Sequence, residues 1–155
     1  MGRIREKIRS LGHPFPDPQV FPNRNRAGAV LVGELLFISG HPPPPLPGVR
    51  IEGKIDRDLT EEEGYIAARA CALNILATVE ACIGDLDRVK RVVKLLGFVN
   101  SSPGFSRQFA VVDGASDLFL SLFGPDLVST RSAVGVLELA RGIPVEIEAI
   151  FQVEV

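Results

Sequence analysis

The chain has 155 residues, 46% of them hydrophobic and 23% charged, with a formal net charge of −2 at pH 7. This is the composition of one globular domain long enough for a core; it excludes a disordered chain and a global basic field that would draw in nucleic acid. No apolar run approaches the ~20 residues of a membrane span and the N-terminus lacks an apolar signal core, so a cytoplasmic location is expected.

Ile4, Ile8 and Leu11 recur at helical spacing ahead of Gly12, which predicts a short amphipathic helix. Pro14, Pro16, Pro18 and Pro22 make His13 to Asn25 an extended arm lying over the surface. Helix and arm form an N-terminal segment, residues 1–24, ahead of a domain at 25–155. Ala29–Val32 and Leu35–Ser39 flank Gly33-Glu34 and read as a β-hairpin with a two-residue turn. The proline-rich run from His41 to Gly48 has little capacity for ladder hydrogen bonds and must be a loop. Gly40, just before it, lets the backbone approach another group closely. Val49 to Ile55 reads as a short extended piece.

Thr60-Glu61-Glu62-Glu63 is a capping box, and its carboxylates suit the positive end of a helix dipole. The helix should run to about Ile83, with Ala67, Cys71, Ile75, Val79 and Cys82 buried and Gly84 closing it. Along such a helix Cys71 and Cys82 stand roughly 16 Å apart, too far for a disulfide, and share a face as small core residues. With His13 and His41 as the only histidines, no zinc constellation is available. Asp85-Leu86-Asp87 turns the chain into a long strand, Arg88–Val99, and after a loop a second helix runs from about Ser106 to Phe123. Thr130–Val136 and Pro144–Phe151 then close the chain as a strand pair. On the last strand Val145, Ile147, Ala149, Phe151 and Val153 share one face, while Glu146, Glu148 and Gln152 share the other. The order after the arm is β-β-α-β-α-β-β, an α+β fold with two helices on one face of the sheet. The other face needs a cover of its own.

Two carboxylates on one strand face, near an arginine beginning the neighbouring strand, fit either a solvated edge strand or a site. Arg131-Ser132-Ala133-Val134-Gly135-Val136 followed by Val145-Glu146-Ile147-Glu148-Ala149-Ile150-Phe151 resembles the C-terminal signature of the RidA/YjgF family. These are reactive-intermediate (enamine/imine) deaminases, also labelled endoribonuclease L-PSP. The likeness continues through Leu35–Gly40, Arg88–Lys94 and Asp113–Phe119, and so covers roughly Asn25 to Val155. It implies a chorismate-mutase-like fold with a mixed sheet, a homotrimer with ligand clefts between subunits, and no cofactor or metal. The N-terminal extension resembles that of one subfamily.

By this resemblance Arg131 anchors a substrate carboxylate, for which its planar fork is suited, and Ser132 and Ala133 line the cleft. Glu146 would hold or activate the hydrolytic water; the alternatives are a surface arginine and a structural ion pair between subunits. Gly40 would add a backbone contact. Two positions depart from the family pattern: Arg26 stands where a cleft tyrosine is expected, and Asp113 where short members have an asparagine. Arg26 either makes the cleft more cationic, suiting a dianionic or larger substrate, or points to solvent, whereas Asp113 adds an acid. Lys90, Arg91 and Lys94 make a basic stripe, but RNA binding would want aromatics among them, and the chain has no tryptophan and one tyrosine, Tyr65.

Three functions are therefore weighed. The first is hydrolysis of an enamine/imine acid to a 2-keto acid and ammonia; the second is a small-molecule-binding or regulatory trimer; the third is an endoribonuclease. The discriminating feature is whether Arg131 lies in an open interfacial cleft with Glu146 within one water of a bound carboxylate, or is locked in a salt bridge with no room beside it, in which case the enzyme reading fails.

Overall fold

The computed structural model describes residues 2–22 and 25–155; Asn23 and Arg24 of the expected arm lie outside them. The capping box forms as predicted: the Thr60 hydroxyl accepts from the Glu63 amide at 3.1 Å, and the Thr60 amide donates to the Glu63 carboxylate at 2.8 Å. From it helix α2 runs Glu61–Ile83. It is long and apolar enough to cross a membrane by length and composition, yet most of it is buried in the protein. Around it stand α1 (Arg3–Ser10) and α3 (Gln108–Phe123). The strands are β1 (Ala29–Val32), β2 (Leu35–His41), β3 (Val89–Asn100), β4 (Thr130–Val136) and β5 (Val145–Val153).

The five strands form one mixed sheet in the order β1-β2-β5-β3-β4. All neighbours are antiparallel except β3 and β4, which run parallel. This corrects one expectation: β4 and β5 do not pair with each other. The connection between them crosses over so that β3 lies in between, bonded to both, and β5 is an interior strand rather than an edge. Register irregularities in the β3–β5 ladder place Val89, Val92 and Leu95 all on the buried side, at intervals of three rather than two. Val49 to Ile55 makes no strand; Ile55 forms isolated bridges to Leu59 and Ser101.

The alternate residues Val145, Ile147, Ala149, Phe151 and Val153 of β5 are all buried against the helices. Phe119 of α3 meets Phe151 edge to face, with ring centroids 5.7 Å apart. Helix α3 crosses α2 at very close range at Gly114, where a Cβ would stand 2.0 Å from the Tyr65 carbonyl oxygen. Cys71 is buried as expected, but Cys82 is exposed. In the last turn of α2 the buried side is carried by Val79 and Ile83, and Cys82 lies round the cylinder from them. Likewise Ile4 and Ile8 of α1 are buried and Leu11, past its end, is not. Helix α1 is held in place by Asp87, whose carboxylate accepts from the Arg3 and Ile4 amides at 2.7 and 2.8 Å.

The opposite sheet face has no helices. Val30, Val32, Leu35, Phe37 and Val134 are exposed on it, in register with Phe98 and Ile150. A single chain leaves this apolar band open to water.

Gly114→Ala should destabilise the protein by about 3 kcal/mol or more, because the methyl meets main chain that only moves if the helices separate. A shift of the urea midpoint at unchanged m-value would show it; a change below experimental error would mean that the helix pair relaxes freely.

Candidate functional site

The last strand residues of β2 set up the site. The β2–β5 register shifts between Ile38 and His41, which brings the Gly40 backbone against the Glu146 side chain. A Cβ at position 40 would lie 2.8 Å from the Glu146 carboxyl carbon, so a larger residue there would displace the Glu146 side chain. His41 turns the other way and is buried, its Nε2 2.8 Å from the Thr78 hydroxyl and its Nδ1 2.6 Å from the Ser39 carbonyl. It fastens the strand end to α2, and burial holds its pKa below the ordinary value.

Beyond Gly40 the chain opens a cleft of about 800 Å³. One wall is the run Pro42–Pro45, another the arm at Gln19 and Pro22, a third the β4–β5 connection at Ala140, Arg141 and Ile143. Glu146, Gly40, Arg26 and Asn74 complete it, with Asp17 and Glu52 also in its lining. Glu146 is half-buried, and burial pushes its carboxyl above the ordinary value. The guanidinium of Arg26 opposes that shift, Glu148 adds to it, and Arg141 opposes it least. A carboxyl shifted in this direction is a better proton acceptor than an ordinary carboxylate and can return the proton it takes.

Asn74 is a buried polar residue in an otherwise apolar stretch of α2. Its amide nitrogen donates to Gln19 Oε1 and to the Pro42 carbonyl, each at 3.0 Å, which ties both walls to the helix and leaves its Oδ1 as an acceptor. A second buried cluster supports the third wall. Lys54 donates to Asn100 Oδ1 at 2.6 Å and to the Leu137 carbonyl, while Asn100 Nδ2 donates to the Ile143 carbonyl at 3.2 Å. The Gly53 amide reaches the Gly142 carbonyl at 2.8 Å. None of Asn74, Lys54, Asn100 or Arg141 stands out in the sequence as a site residue. The available signal, for Asn74, was an amide side chain within the apolar run from Ala70 to Ala77.

Of the residues singled out in the sequence, Gly40, Arg26 and Glu146 come together in this cleft. Arg131 and Asp113 do not; they meet each other. Arg131 Nη1 donates to the Asp113 carboxylate at 2.6 Å and to the Ser116 hydroxyl at 2.9 Å, and Nη2 makes a long contact, 3.4 Å, to the Phe109 carbonyl. The register explains the separation. Arg131 is paired through Leu95 with Ala149 on the helix side, whereas Glu146 is paired through Phe98 with Val134 on the open side. Ser132 is exposed on that open side and Ala133 is half-buried against the core. Within one chain Arg131 and Glu146 therefore point to opposite faces of the sheet.

The shift at Glu146 has a testable sign. Its folded pKa lies above the unfolded value near 4.5, so the neutral form is favoured and stability is lost as pH rises through the folded pKa. Glu146→Gln should be more stable than wild type at neutral and higher pH, with the gap closing as pH falls below 4.5. Denaturant midpoints across pH would check this, and a gap independent of pH would contradict it.

Comparison with known proteins agrees with this architecture. A family model described as "YjgF/chorismate_mutase-like, putative endoribonuclease" matches residues 20–137. Protein TCP17 of Trypanosoma cruzi is 44% identical over 152 residues, covering 97% of this chain and 94% of that protein. Among solved structures, Atu1372 of Agrobacterium tumefaciens is 36% identical with a TM-score of 0.87, covering 98% of this chain and 92% of that one. RidA from an Antarctic Psychrobacter is 25% identical with a TM-score of 0.55, covering 88% of this chain and 94% of that one. The chain belongs to the YjgF/chorismate mutase-like family, the family of RidA.

Proposed function

We propose that this protein hydrolyses small enamine or imine acids to the 2-keto acid and ammonia, without a cofactor, in a cleft completed by a second copy of the chain. Water adds to the imine carbon while one of its protons passes to Glu146 and on to the nitrogen; the resulting carbinolamine then gives up its hydroxyl proton, again by way of Glu146, to the nitrogen as the carbon–nitrogen bond breaks, leaving the carbonyl and ammonia. The observation that carries this reading is Glu146: a half-buried carboxyl, shifted upward, facing a ligand-sized cleft with a glycine backbone against it.

The second copy is motivated by two features. The open sheet face exposes Phe37 at 42% and Val134 at 40%, which suits burial in a homotrimer. Arg131 and Glu146 lie on opposite faces, so a site using both draws them from different chains. In this reading Arg131 offers the substrate carboxylate its Nε and the remaining Nη2 hydrogen, with Asp113 and Ser116 fixing the guanidinium from the Nη1 side. Ser132 and Ala133 follow it along the strand. The working location is the cytoplasm. Asp113 also favours a second reading, a binding or regulatory trimer, because its carboxylate offsets the charge Arg131 presents to a ligand. The endoribonuclease reading draws no support from the cleft, whose lining among the described residues includes no aromatic side chain for base stacking.

The test is keto-acid formation from 2-aminoacrylate generated in situ by a dehydratase. Wild type should accelerate it over background, and Glu146→Gln should lose about 10²-fold or more of that rate, as should Arg131→Ala. Mixed trimers of the two variants should recover part of the activity, since some interfaces then carry both native residues. Folded wild type without acceleration would favour the binding trimer; full loss with no recovery on mixing would place both residues' roles in one chain.

A further inference from the structure

Two cations that line the Glu146 cleft form no ion pair among the described residues, and Arg26 lies over the Phe21 ring, 5.5 Å from its centroid. Arg5, Arg9, Arg50, Arg57, Arg107 and Arg131 are all paired with carboxylates. Arg26 and Arg141 make no ion pair or side-chain hydrogen bond to the described residues, although Glu146, Asp17 and Glu52 line the same cleft. Both arginines are close enough to act on the charge of Glu146, whereas Asp17 and Glu52 exert no resolved effect on it. The two arginines thus act on the carboxyl at which the reaction would occur; like Asp17 and Glu52 they are exposed, so all four charges are partly screened by solvent.

Arg141 is placed there by construction. Its backbone is left-handed, with φ 58°, a conformation that disfavours any side chain bearing a Cβ and persists where the surroundings hold it. The surroundings are the buried cluster described above: Lys54 and Asn100 grip the connection at Leu137 and Ile143, and Gly53 grips Gly142, the residue after Arg141. The volume points the same way. A cleft of about 800 Å³ is far larger than a three-carbon imino acid needs, and Pro42–Pro45, Ile51 and Ile143 in its lining offer apolar surface to a longer carbon chain.

We infer that the substrate of this cleft is a dicarboxylic 2-imino acid, whose second carboxylate is received by Arg26 and Arg141 while the carboxylate next to the imine is held elsewhere. The inference rests on the deaminase reading for the reaction and names the substrate class of the same site. No new covalent step is involved; the hydrolysis is the one written above.

The test compares 2-iminoglutarate with 2-iminobutanoate, each generated in situ by an amino-acid oxidase, on wild type, Arg141→Gln and Arg26→Gln. Wild type should prefer the dicarboxylate by about tenfold or more in kcat/KM, the ratio expected of one charge-assisted contact. Each variant should bring that ratio down towards one. Equal rates on the two imines, a preference for the monocarboxylate, or variants that lower both rates in proportion would overturn the inference. Proportional loss would mean that the arginines hold the carboxylate beside the imine. If neither imine is hydrolysed the deaminase reading fails, and calorimetric binding of 2-oxoglutarate against 2-oxobutanoate decides the inference by itself. Tighter binding of the dicarboxylate that is lost in Arg141→Gln supports it; equal affinity, or no binding of either, overturns it.

Discussion

The pairing of β3 on both of its edges is the constraint on which the site depends. One twelve-residue strand bonds to β5 along one side and to β4 along the other. Because side chains alternate across a sheet and paired residues share a face, this ladder dictates where each candidate residue points. It aligns Arg131 with Leu95 and Ala149, under the helices, and Glu146 with Phe98 and Val134, away from them. A single-residue slip in either ladder would exchange the faces. The buried rows on the helix side oppose such a slip, since it would turn Phe151, Ile147 and Leu95 out to water.

The chemistry follows from what is left around Glu146 at the strand ends. Its carboxyl is taken partly out of water by Gly40 and the cleft walls, and that desolvation outweighs the attraction of the nearby guanidinium groups. The balance matters: a fully paired carboxylate would be a poor base, and a fully buried one would be cut off from water and substrate. Arg26 and Arg141 line the same cleft and form no ion pair among the described residues. The polar groups that build the walls are internally satisfied by contrast. Asn74, Lys54 and Asn100 spend their donors on backbone and side-chain acceptors and so serve as fasteners. Asp113 belongs with them from the standpoint of Arg131, which it orients and partly neutralises.

Much of this was legible along the chain. The capping box and Gly84 marked α2, the Gly33-Glu34 turn marked the first hairpin, and the alternation in β5 separated its buried row from the row carrying Glu146. These are local signals, in which hydrogen bonds or side-chain parity operate within one element. Where several buried sides meet, the reading was less good: Cys82 shares a helical face with Cys71 yet is exposed, because the neighbours that cover α2 in its middle do not surround its last turn.

The sequence by itself therefore determined most of the elements, the apolar face of most of them, and the family, because capping, periodicity and ordered motifs are properties of neighbouring residues. Only the tertiary structure decided which strands lie side by side, that Arg131 is held by Asp113 while Arg26 and Arg141 overlook Glu146, and that Asp87 caps a helix far from it in the chain. Those outcomes depend on contacts between residues widely separated in sequence. Which of them form is settled by how the sheet and helices bury their apolar faces together, and no local pattern records it.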